Sequence, residues 1–401
     1  MVPDGEHKTV GVDLSGGGSL TPDAVARAYD ERSEEAEPVI ASFSLKKPIN
    51  KRLDKYLADR IPYMSRSALQ RLISTGGVTI NGKNAKPSTV VHQGDDIVVH
   101  LPPPPSKDIP AEDIPLDVLY EDDHFIVINK QANLIVHPAR SEKSGTLINA
   151  LAFHFQNRSS GRLSTVGEEY ARPGVVHRLD RHTTGAMVAA KSEEAHWLLG
   201  RQFENRTPDK RYIAVVEGEL DPPADIIDLP LGPHPRRDKG YREKYVVRHD
   251  DAGKPSVTIY RVLEYYRGYT LVELELKTGR THQIRVHLSY LNHPLVGDDM
   301  YGGKILTLAD LDCDPETLPA DLEPDRGMVL DRQALHAAYL SITHPITGQP
   351  MTFHAPLPPD MARLVRLLRL CRGPARRLAI QGTKTDLDTL SGINNTSKEK
   401  A

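Results

Sequence analysis

A basic polar loop between two apolar runs constrains the fold of this chain most strongly. The loop lies in the segment Gly174-Val-Val-His-Arg-Leu-Asp-Arg-His-Thr-Thr-Gly185, and a second apolar run follows at residues 186–190. This pattern predicts a strand, a loop and another strand, with Asp180 at the edge of a sheet. Arg178 and Arg181 favour the ionised carboxylate. Asp180 is thus a candidate nucleophile or base, whereas an isolated Arg-Leu-Asp more often forms a structural salt bridge or a turn cap.

This segment resembles the signature of the RluA/RluD family of pseudouridine synthases. In that family His-Arg-Leu-Asp precedes Thr-Ser-Gly and an apolar strand that ends in Ala-Lys; here the serine is Thr184, and the strand ends at Ala190-Lys191. Further segments similar to the family are Lys210-Arg-Tyr-Ile-Ala-Val-Val-Glu-Gly218, Lys277-Thr-Gly-Arg-Thr-His-Gln-Ile-Arg-Val-His287, Val296-Gly-Asp298 with Tyr301-Gly302, and Arg332-Gln-Ala-Leu-His336. The resemblance covers the chain from about residue 114 to 358.

The resemblance implies both a fold and a reaction. The fold is α+β, with a mixed, largely antiparallel central sheet, and the reaction is the isomerisation of uridine to pseudouridine in RNA. The bond from ribose to the ring nitrogen breaks, the uracil turns while it stays bound, and a ring carbon takes the sugar. One ionised aspartate can start this reaction as a nucleophile on the ribose or on the uracil ring, and the sequence leaves both routes open. No cofactor is expected.

The resemblance also assigns candidate site residues. It implies that Asp180 is the nucleophile, that Arg285 pairs with it and that Tyr212 stacks on the flipped base. Arg280 is a second candidate partner of Asp180. The predicted substrate-binding residues are Arg178, His177, Arg280, His282, Gln283 and Ile284. For Tyr212 and Ile284 the alternative is an ordinary core position, and the two histidines are expected to orient neighbouring side chains or to touch phosphates.

Metal binding and membrane insertion are not expected. His177 and His182, like His282 and His287, lack the i, i+4 spacing of a helical metal site. The two cysteines, Cys313 and Cys371, have no metal-ligand spacing, which predicts free thiols in a reducing compartment. No apolar run reaches the roughly 20 residues that span a bilayer, and the N-terminal residues fit neither a signal nor a transit peptide. A cytoplasmic protein is therefore expected.

An N-terminal segment resembles the ribosomal S-four-type RNA-binding module, two short helices that feed a small sheet. The resemblance rests on Arg52-Leu53-Asp54, Gly77-Val78, Asn81-Gly82 and Gly94-Asp95. The net charge of the chain is only -3, but basic side chains concentrate in this segment. Predicted RNA-binding residues are Arg52, Lys55, Arg66 and Arg71, which would contact phosphates and set affinity rather than sequence preference. A solvated helix face is the alternative.

These patterns divide the chain into segments. They predict a disordered acidic tail at 1–45, the RNA-binding module at 46–101, a Pro-rich linker at 102–113, the catalytic domain at 114–375 with an acidic insertion at 304–331, and a polar tail at 376–401. The expected partner is large-subunit ribosomal RNA or its precursor, ahead of transfer RNA, and a monomer is expected. Alternative functions are a non-catalytic RNA-binding or ribosome-assembly factor, and a glycoside hydrolase, which needs two carboxylates around the scissile bond.

Overall fold

The computed structural model describes residues 11–13, 20, 39–62, 64, 66–101, 110–136, 144–159, 174–236, 244–314, 316, 318–324 and 327–387. They fall into two compact units, one up to Leu101 and one from Pro110 onward. In these ranges no helix is long and apolar enough to cross a membrane. Within the predicted linker, residues 102–109 lie outside the description. Pro110 and Glu112 hydrogen-bond to Asn149, so this end of the linker belongs to the second unit.

The described residues of the first unit form two helices and a five-stranded sheet. The helices are α1, Leu53–Arg60, and α2, Arg66–Ser74. The strands are β1 Gly11–Asp13, β2 Val39–Ser44, β3 Lys51–Arg52, β4 Val78–Ile80, β5 Lys83–Asn84, β6 Val90–Val91 and β7 Asp96–Leu101. The sheet order is β1-β2-β7-β4-β5, and β3 pairs with β6. Asn81 and Gly82 have the positive φ angles that a tight hairpin turn between β4 and β5 requires.

Strand β2 corrects the predicted N-terminal tail. It alternates buried and half-buried residues and pairs antiparallel with β7, from Val39 opposite Leu101 to Ser44 opposite Asp96. Strand β1 pairs with β2 in parallel. The prediction of a disordered tail over residues 1–45 is therefore wrong for these two strands. Val-Ile-Ala-Ser-Phe-Ser is an alternating strand pattern that the polar residues around it obscured.

The second unit is built on a ten-stranded sheet. Its helices are α3 Leu147–Asn157, α4 Glu193–Glu204, α5 Gln283–Tyr290 and α6 Pro359–Cys371. Its strands are β8 Asp117–Glu121, β9 Phe125–Lys130, β10 Thr184–Ala190, β11 Asp209–Glu217, β12 Ala224–Asp228, β13 Leu231–Pro233, β14 Tyr245–Val247, β15 Val257–Tyr266, β16 Tyr269–Leu276, β17 Leu306–Thr307, β18 Met328–Leu330, β19 Leu335–Thr343, β20 Pro350–His354 and β21 Arg376–Arg377.

The sheet is mixed and largely antiparallel, as predicted. Its order is β12-β15-β16-β11-β19-β10-β9-β8, with β20 paired to β19 and β21 to β15. Strands β10 and β19 run parallel, with Gly185 opposite Ala337. Gly185 has φ +117°, and a β-carbon there would lie 2.3 Å from the carbonyl oxygen of Ala337. Glycine is therefore required where the candidate loop enters β10.

Strand β16 is buried on both faces. Its alternation predicts a half-exposed strand with Glu273 and Glu275 toward solvent, but both glutamates are buried. Arg211 on β11 donates to Glu275, and the backbone N–H groups of Lys384 and Thr385 donate to Glu273. The half-exposed prediction was wrong because the C-terminal strap, residues 376–387, covers this face. The predicted polar tail at 376–401 therefore starts too early.

The acidic insertion at 304–331 is folded onto the second unit. Strands β17 and β18 pair, and Leu306, Leu311 and Leu322 share a core with helix α6. Cys313 of the insertion forms a disulfide with Cys371 at the end of α6, with Cα atoms 5.4 Å apart. The prediction of free thiols was wrong, because two cysteines 58 residues apart give no sequence signal that the fold brings them together.

Candidate active site

Asp180 and Arg285 meet at the centre of the site. Arg285 Nη1 donates to Asp180 Oδ2 at 3.3 Å, and the two side chains are 7% and 20% exposed. The N–H of Thr183 donates to the Asp180 carbonyl, which closes a tight turn. Burial acts to raise the pKa of Asp180, but the positive charges of His282, Arg285 and Arg178 lower it below its usual value. The carboxylate is therefore ionised at neutral pH and partly accessible.

Arg285 is held from behind by a carboxylate that the sequence did not predict as a site residue. Its Nε and Nη2 donate to the two oxygens of Asp298 at 2.7 and 2.8 Å, and the Asp298 side chain is fully buried. The guanidinium also lies over the ring of Tyr301, 4.9 Å from the centroid. This bidentate pair fixes the plane of the guanidinium and leaves Nη1 directed at Asp180.

His282 lies at the N-terminus of α5 in an unusual backbone conformation. Its φ is 53°, in the left-handed region, and residues held there often occur at functional sites. Its Nδ1 is 2.8 Å from Tyr301 Oη, and its Nε2 is 3.9 Å from Asp180 Oδ2. Tyr301 Oη also accepts the N–H of Tyr245. His282 is thus oriented by Tyr301 with its second nitrogen toward the candidate nucleophile.

Two buried cations fix the backbone that follows Asp180. Lys130, fully buried at the end of β9, donates its Nζ to the carbonyl of Arg181 at 3.0 Å and to two carbonyls in its own turn. Burial lowers the pKa of Lys130 to about 7, although the charge of Asp180 opposes this shift. Arg332 donates to the carbonyl of His182 at 3.1 Å and pairs with Asp360. Neither cation was predicted as a site residue.

The side chains at 183 and 184 are fixed as well. Gln333 donates to the Thr183 hydroxyl, and the Thr184 hydroxyl is 2.8 Å from Nδ1 of His336. His336 Nε2 is 3.1 Å from the carbonyl of Ala355, and burial lowers the pKa of His336 to about 4, so the ring is neutral. A hydroxyl at position 184 serves this contact, which explains why threonine can replace the serine of the resembling motif.

Tyr212 lies on β11 close enough to sense the charge of Asp180. Its side chain is 8% exposed, and its position coincides with an irregularity in the pairing of β11 with β19. Burial, and then the charge of Asp180, raise the pKa of the Tyr212 hydroxyl well above its usual value. The phenol is therefore protonated at any physiological pH.

Two predicted substrate-binding residues, Gln283 and His177, make contacts to other protein groups. The amide of Gln283 is used four times: it accepts from Thr278 Oγ1 and Arg280 N, and it donates to Val257 O and Thr258 Oγ1. Gln283 is 2% exposed. That Gln283 binds substrate stays a prediction. It shapes the turn before α5, because its amide is saturated by protein groups.

His177 is the other case. Its Nε2 accepts the N–H of Val188, and its ring stacks on Phe203 with centroids 4.3 Å apart. Burial, and then the charge of Lys210, lower the pKa of His177 to about 3. A neutral ring used in this way holds the loop against β10, which fits the orienting role, and the alternative phosphate contact stays a prediction.

The remaining predicted site residues stay predictions. Arg178 is half-buried and contributes to the low pKa of Asp180, and Arg280 lies in the turn that Gln283 shapes. Ile284 is 3% exposed beside Arg285, which fits either a pocket wall or a core position. In the described part of the chain no group of three or more His, Cys, Asp or Glu side chains could hold a metal ion. Independence from metal stays a prediction too.

Two of the predicted RNA-binding arginines of the first unit, Arg52 and Arg66, flank one buried carboxylate. Arg52 Nε and Arg66 Nη2 donate to Asp54 at 3.1 and 2.8 Å, and Gln70 donates at 2.7 Å. Burial acts to raise the pKa of Asp54. The hydrogen bonds outweigh this effect and hold the pKa well below its usual range. Both guanidiniums remain nearly half exposed, so Asp54 holds them on the surface. Lys55 and Arg71 are also exposed.

The arrangement suits nucleophilic catalysis. The ionised, partly accessible Asp180 carboxylate lies close to Arg285 and His282, and the neutral phenol of Tyr212 is near enough to feel its charge. Preorganised charges of this kind cost no reorganisation when charge develops during a reaction. Asp298 is fully buried and paired with Arg285, so it is not placed as the second carboxylate that glycoside hydrolysis needs.

Comparison with known proteins agrees with this geometry. The family model for RNA pseudouridylate synthase matches residues 124–290, and the S4 domain model matches residues 51–97. A ribosomal large subunit pseudouridine synthase D of Pseudomonas aeruginosa is 41% identical over 320 residues, covering 79% of this chain and 92% of that protein. An uncharacterized RNA pseudouridine synthase of Bacillus subtilis, YlyB, is 39% identical over 320 residues, covering 80% and 95%.

A solved structure is also similar. Human RNA pseudouridylate synthase domain containing 1 is 25% identical with a TM-score of 0.47, covering 71% of this chain and 96% of that one. The identities to the two bacterial proteins extend over nearly their whole length and include the segment that carries Asp180, Tyr212 and Arg285. This chain belongs to the RNA pseudouridine synthase family, isomerases that act on RNA, and it carries an S4 domain.

Proposed function

We propose that this enzyme converts specific uridines of large-subunit ribosomal RNA to pseudouridine, with Asp180 as the nucleophile. The observation that carries the proposal is the ionised Asp180 carboxylate, 3.3 Å from an Arg285 guanidinium that Asp298 fixes. The substrate class is supported by the relatives named ribosomal large subunit pseudouridine synthase D. Transfer RNA is the second candidate substrate.

The substrate uridine and the product pseudouridine have the same atomic composition. Asp180 attacks either the ribose C1′ or the uracil ring, and the bond from C1′ to N1 breaks. The uracil then rotates in the pocket, and C5 forms the new bond to C1′. The proton on C5 is lost and N1 gains one, so the product is an isomer of the substrate. Both points of attack remain open in this proposal.

The neighbours of Asp180 have separate roles. Arg285 stabilises the carboxylate as it leaves the covalent intermediate, and His282 and Arg178 add positive charge around it. The ring of Tyr212 stacks on the flipped uracil, an interaction worth about 1–3 kcal/mol per base. Ile284 closes the pocket against the ring, and Arg280 binds the RNA backbone. These roles follow from position and charge and extend the resemblance to the family motifs.

The S4 domain anchors the RNA. Its exposed basic residues contact phosphates, which increases affinity without selecting a sequence. The chemical step then belongs to the second unit alone. A monomer that acts in the cytoplasm is part of the same proposal.

The test is a map of pseudouridine across total RNA from cells with and without the gene. Loss of one or a few sites in large-subunit ribosomal RNA is expected, with restoration by the wild-type gene and not by Asp180→Asn. The exposed Asp123→Asn serves as a matched control that restores the sites. Loss confined to transfer RNA, or no loss, would overturn the substrate assignment.

A further inference from the structure

Lys210 is a cation beside the site that the reaction scheme does not use. It lies on β11 two residues before Tyr212, a separation of about 7 Å along a strand, and the two share a face of the sheet. Arg211, between them, points to the other face, where it pairs with Asp209 and Glu275. Lys210 therefore lies on the same face of the sheet as Tyr212.

The surroundings of the Lys210 amine are aromatic and cationic. Its Nζ lies 5.8 Å from the centroid of the Phe203 ring, near the outer limit of a cation–π contact. It also approaches the turn before α5, since a β-carbon built on Gly279 would lie 3.7 Å from Nζ. Gly279 therefore leaves open space beside the amine, next to Arg280.

No carboxylate compensates this charge. In the described residues Lys210 has neither an ion pair nor a hydrogen bond from its Nζ, and the neighbouring carboxylate of Asp209 is taken by Arg211. Burial, and then the charge of Arg206, lower the pKa of Lys210 to about 8. Arg206 is exposed in a left-handed conformation that ends the turn after α4. Lys210 and Arg206 thus lie near each other, and neither has a carboxylate partner among the described residues.

We propose that Lys210 and Arg206 bind one phosphodiester of the substrate RNA, next to the flipped uridine. An RNA phosphate supplies the anion that the site lacks, and the strand fixes the amine relative to Tyr212. The contact therefore sets how the backbone enters the pocket. This inference rests on the proposed uridine site at Asp180.

The test replaces Lys210 by methionine, which keeps length and packing on Phe203 but removes the charge. Binding to a large-subunit ribosomal RNA transcript should weaken about tenfold, as expected for one charge-assisted contact. The slope of log affinity against log salt should fall by roughly 0.7 to 0.9. The rate at saturating RNA should stay near wild type, Lys210→Arg should retain most of the affinity, and Arg206→Gln should act in the same direction. The exposed Lys304→Met is the control.

Three results would separate the alternatives. Wild-type affinity and salt slope in Lys210→Met would overturn the phosphate contact and leave Lys210 a packing residue. A lower saturating rate with unchanged affinity would also overturn it, by placing Lys210 in the chemical step. If the wild-type enzyme formed no pseudouridine while Lys210→Met still lost affinity and slope, the phosphate contact would stand and the proposed function would fail.

Discussion

Asp298→Ala tests whether a buried partner positions the arginine of the site. In the native protein both Asp298 oxygens accept from Arg285, at 2.7 and 2.8 Å, and both side chains are almost inaccessible. Removing the carboxylate leaves the guanidinium buried with Asp180 as its remaining anionic partner, at 3.3 Å. Removing one partner of a buried ion pair lowers the free energy of unfolding by about 3–5 kcal/mol. Because Asp180 still compensates part of the charge, we expect the free energy of unfolding to fall by about 3 kcal/mol.

The catalytic rate should fall as well, because the guanidinium would no longer be held in one plane. A displacement near 1 Å can cost about 100-fold in rate, so kcat should drop by about that factor. The assays are urea denaturation and pseudouridine formation on ribosomal RNA. Asp298→Asn keeps the shape of the side chain and one acceptor oxygen, so it should lose less stability and less kcat than Asp298→Ala. This variant keeps the test usable if the alanine variant is poorly folded. The exposed neighbour Asp299→Ala is the control.

If the free energy of unfolding of Asp298→Ala stays within about 0.5 kcal/mol of wild type, the range of ordinary surface changes, and the variant keeps its kcat, then Asp298 does not position Arg285.

Further predictions concern the S4 domain, the disulfide and pH. Neutralising Lys55 and Arg71 together should weaken RNA binding and reduce the log-log salt slope by up to roughly 1.4–1.8, measured by titration at several salt concentrations; an unchanged slope would remove both residues from the interface. Cys371→Ser should lower the free energy of unfolding in non-reducing buffer by about 2–4 kcal/mol, and equal stability of the two proteins would mean that the disulfide does not constrain the insertion. Because the pKa of Asp180 is lowered, the group stays ionised down to low pH and its contribution is lost only as pH falls through that lowered value; kcat/KM measured from about pH 8 to pH 5 should therefore show no loss assignable to a carboxylate, and a fall with a midpoint near pH 6 would contradict the assignment.

Local patterns in the sequence predicted the elements and the nucleophile loop, but not the partners of buried charges. Asp180 and Arg285 lie 105 residues apart, and only the resemblance to family motifs joined them before the structure placed them in contact. Asp298 was noted as part of a matching motif, yet no local pattern shows which cation its carboxylate faces. Lys130 was overlooked because lysine is almost never fully buried. Its three carbonyl acceptors come together only in the fold.

Contacts with distant parts of the chain explain the other differences between the sequence predictions and the structure. The alternation in β16 is typical of a strand, but the strap that covers Glu273 comes more than 100 residues later. The cysteines of the disulfide are separated by 58 residues without a motif. Strand β2 was hidden by its polar flanks. In each case periodicity describes one element, and burial depends on what another part of the chain places against it.

The central claim is that the Asp180 carboxylate is the nucleophile, and Asp180→Asn tests it most directly. The amide keeps the shape of the side chain and removes its charge. With RNA labelled by tritium at uracil C5, each turnover releases label, because C5 exchanges its hydrogen for the ribose bond. Asp180→Asn should bind the RNA with wild-type affinity and release no tritium above background, while Asp123→Asn releases it at the wild-type rate. Sustained release by Asp180→Asn protein that is free of wild-type enzyme would contradict the claim.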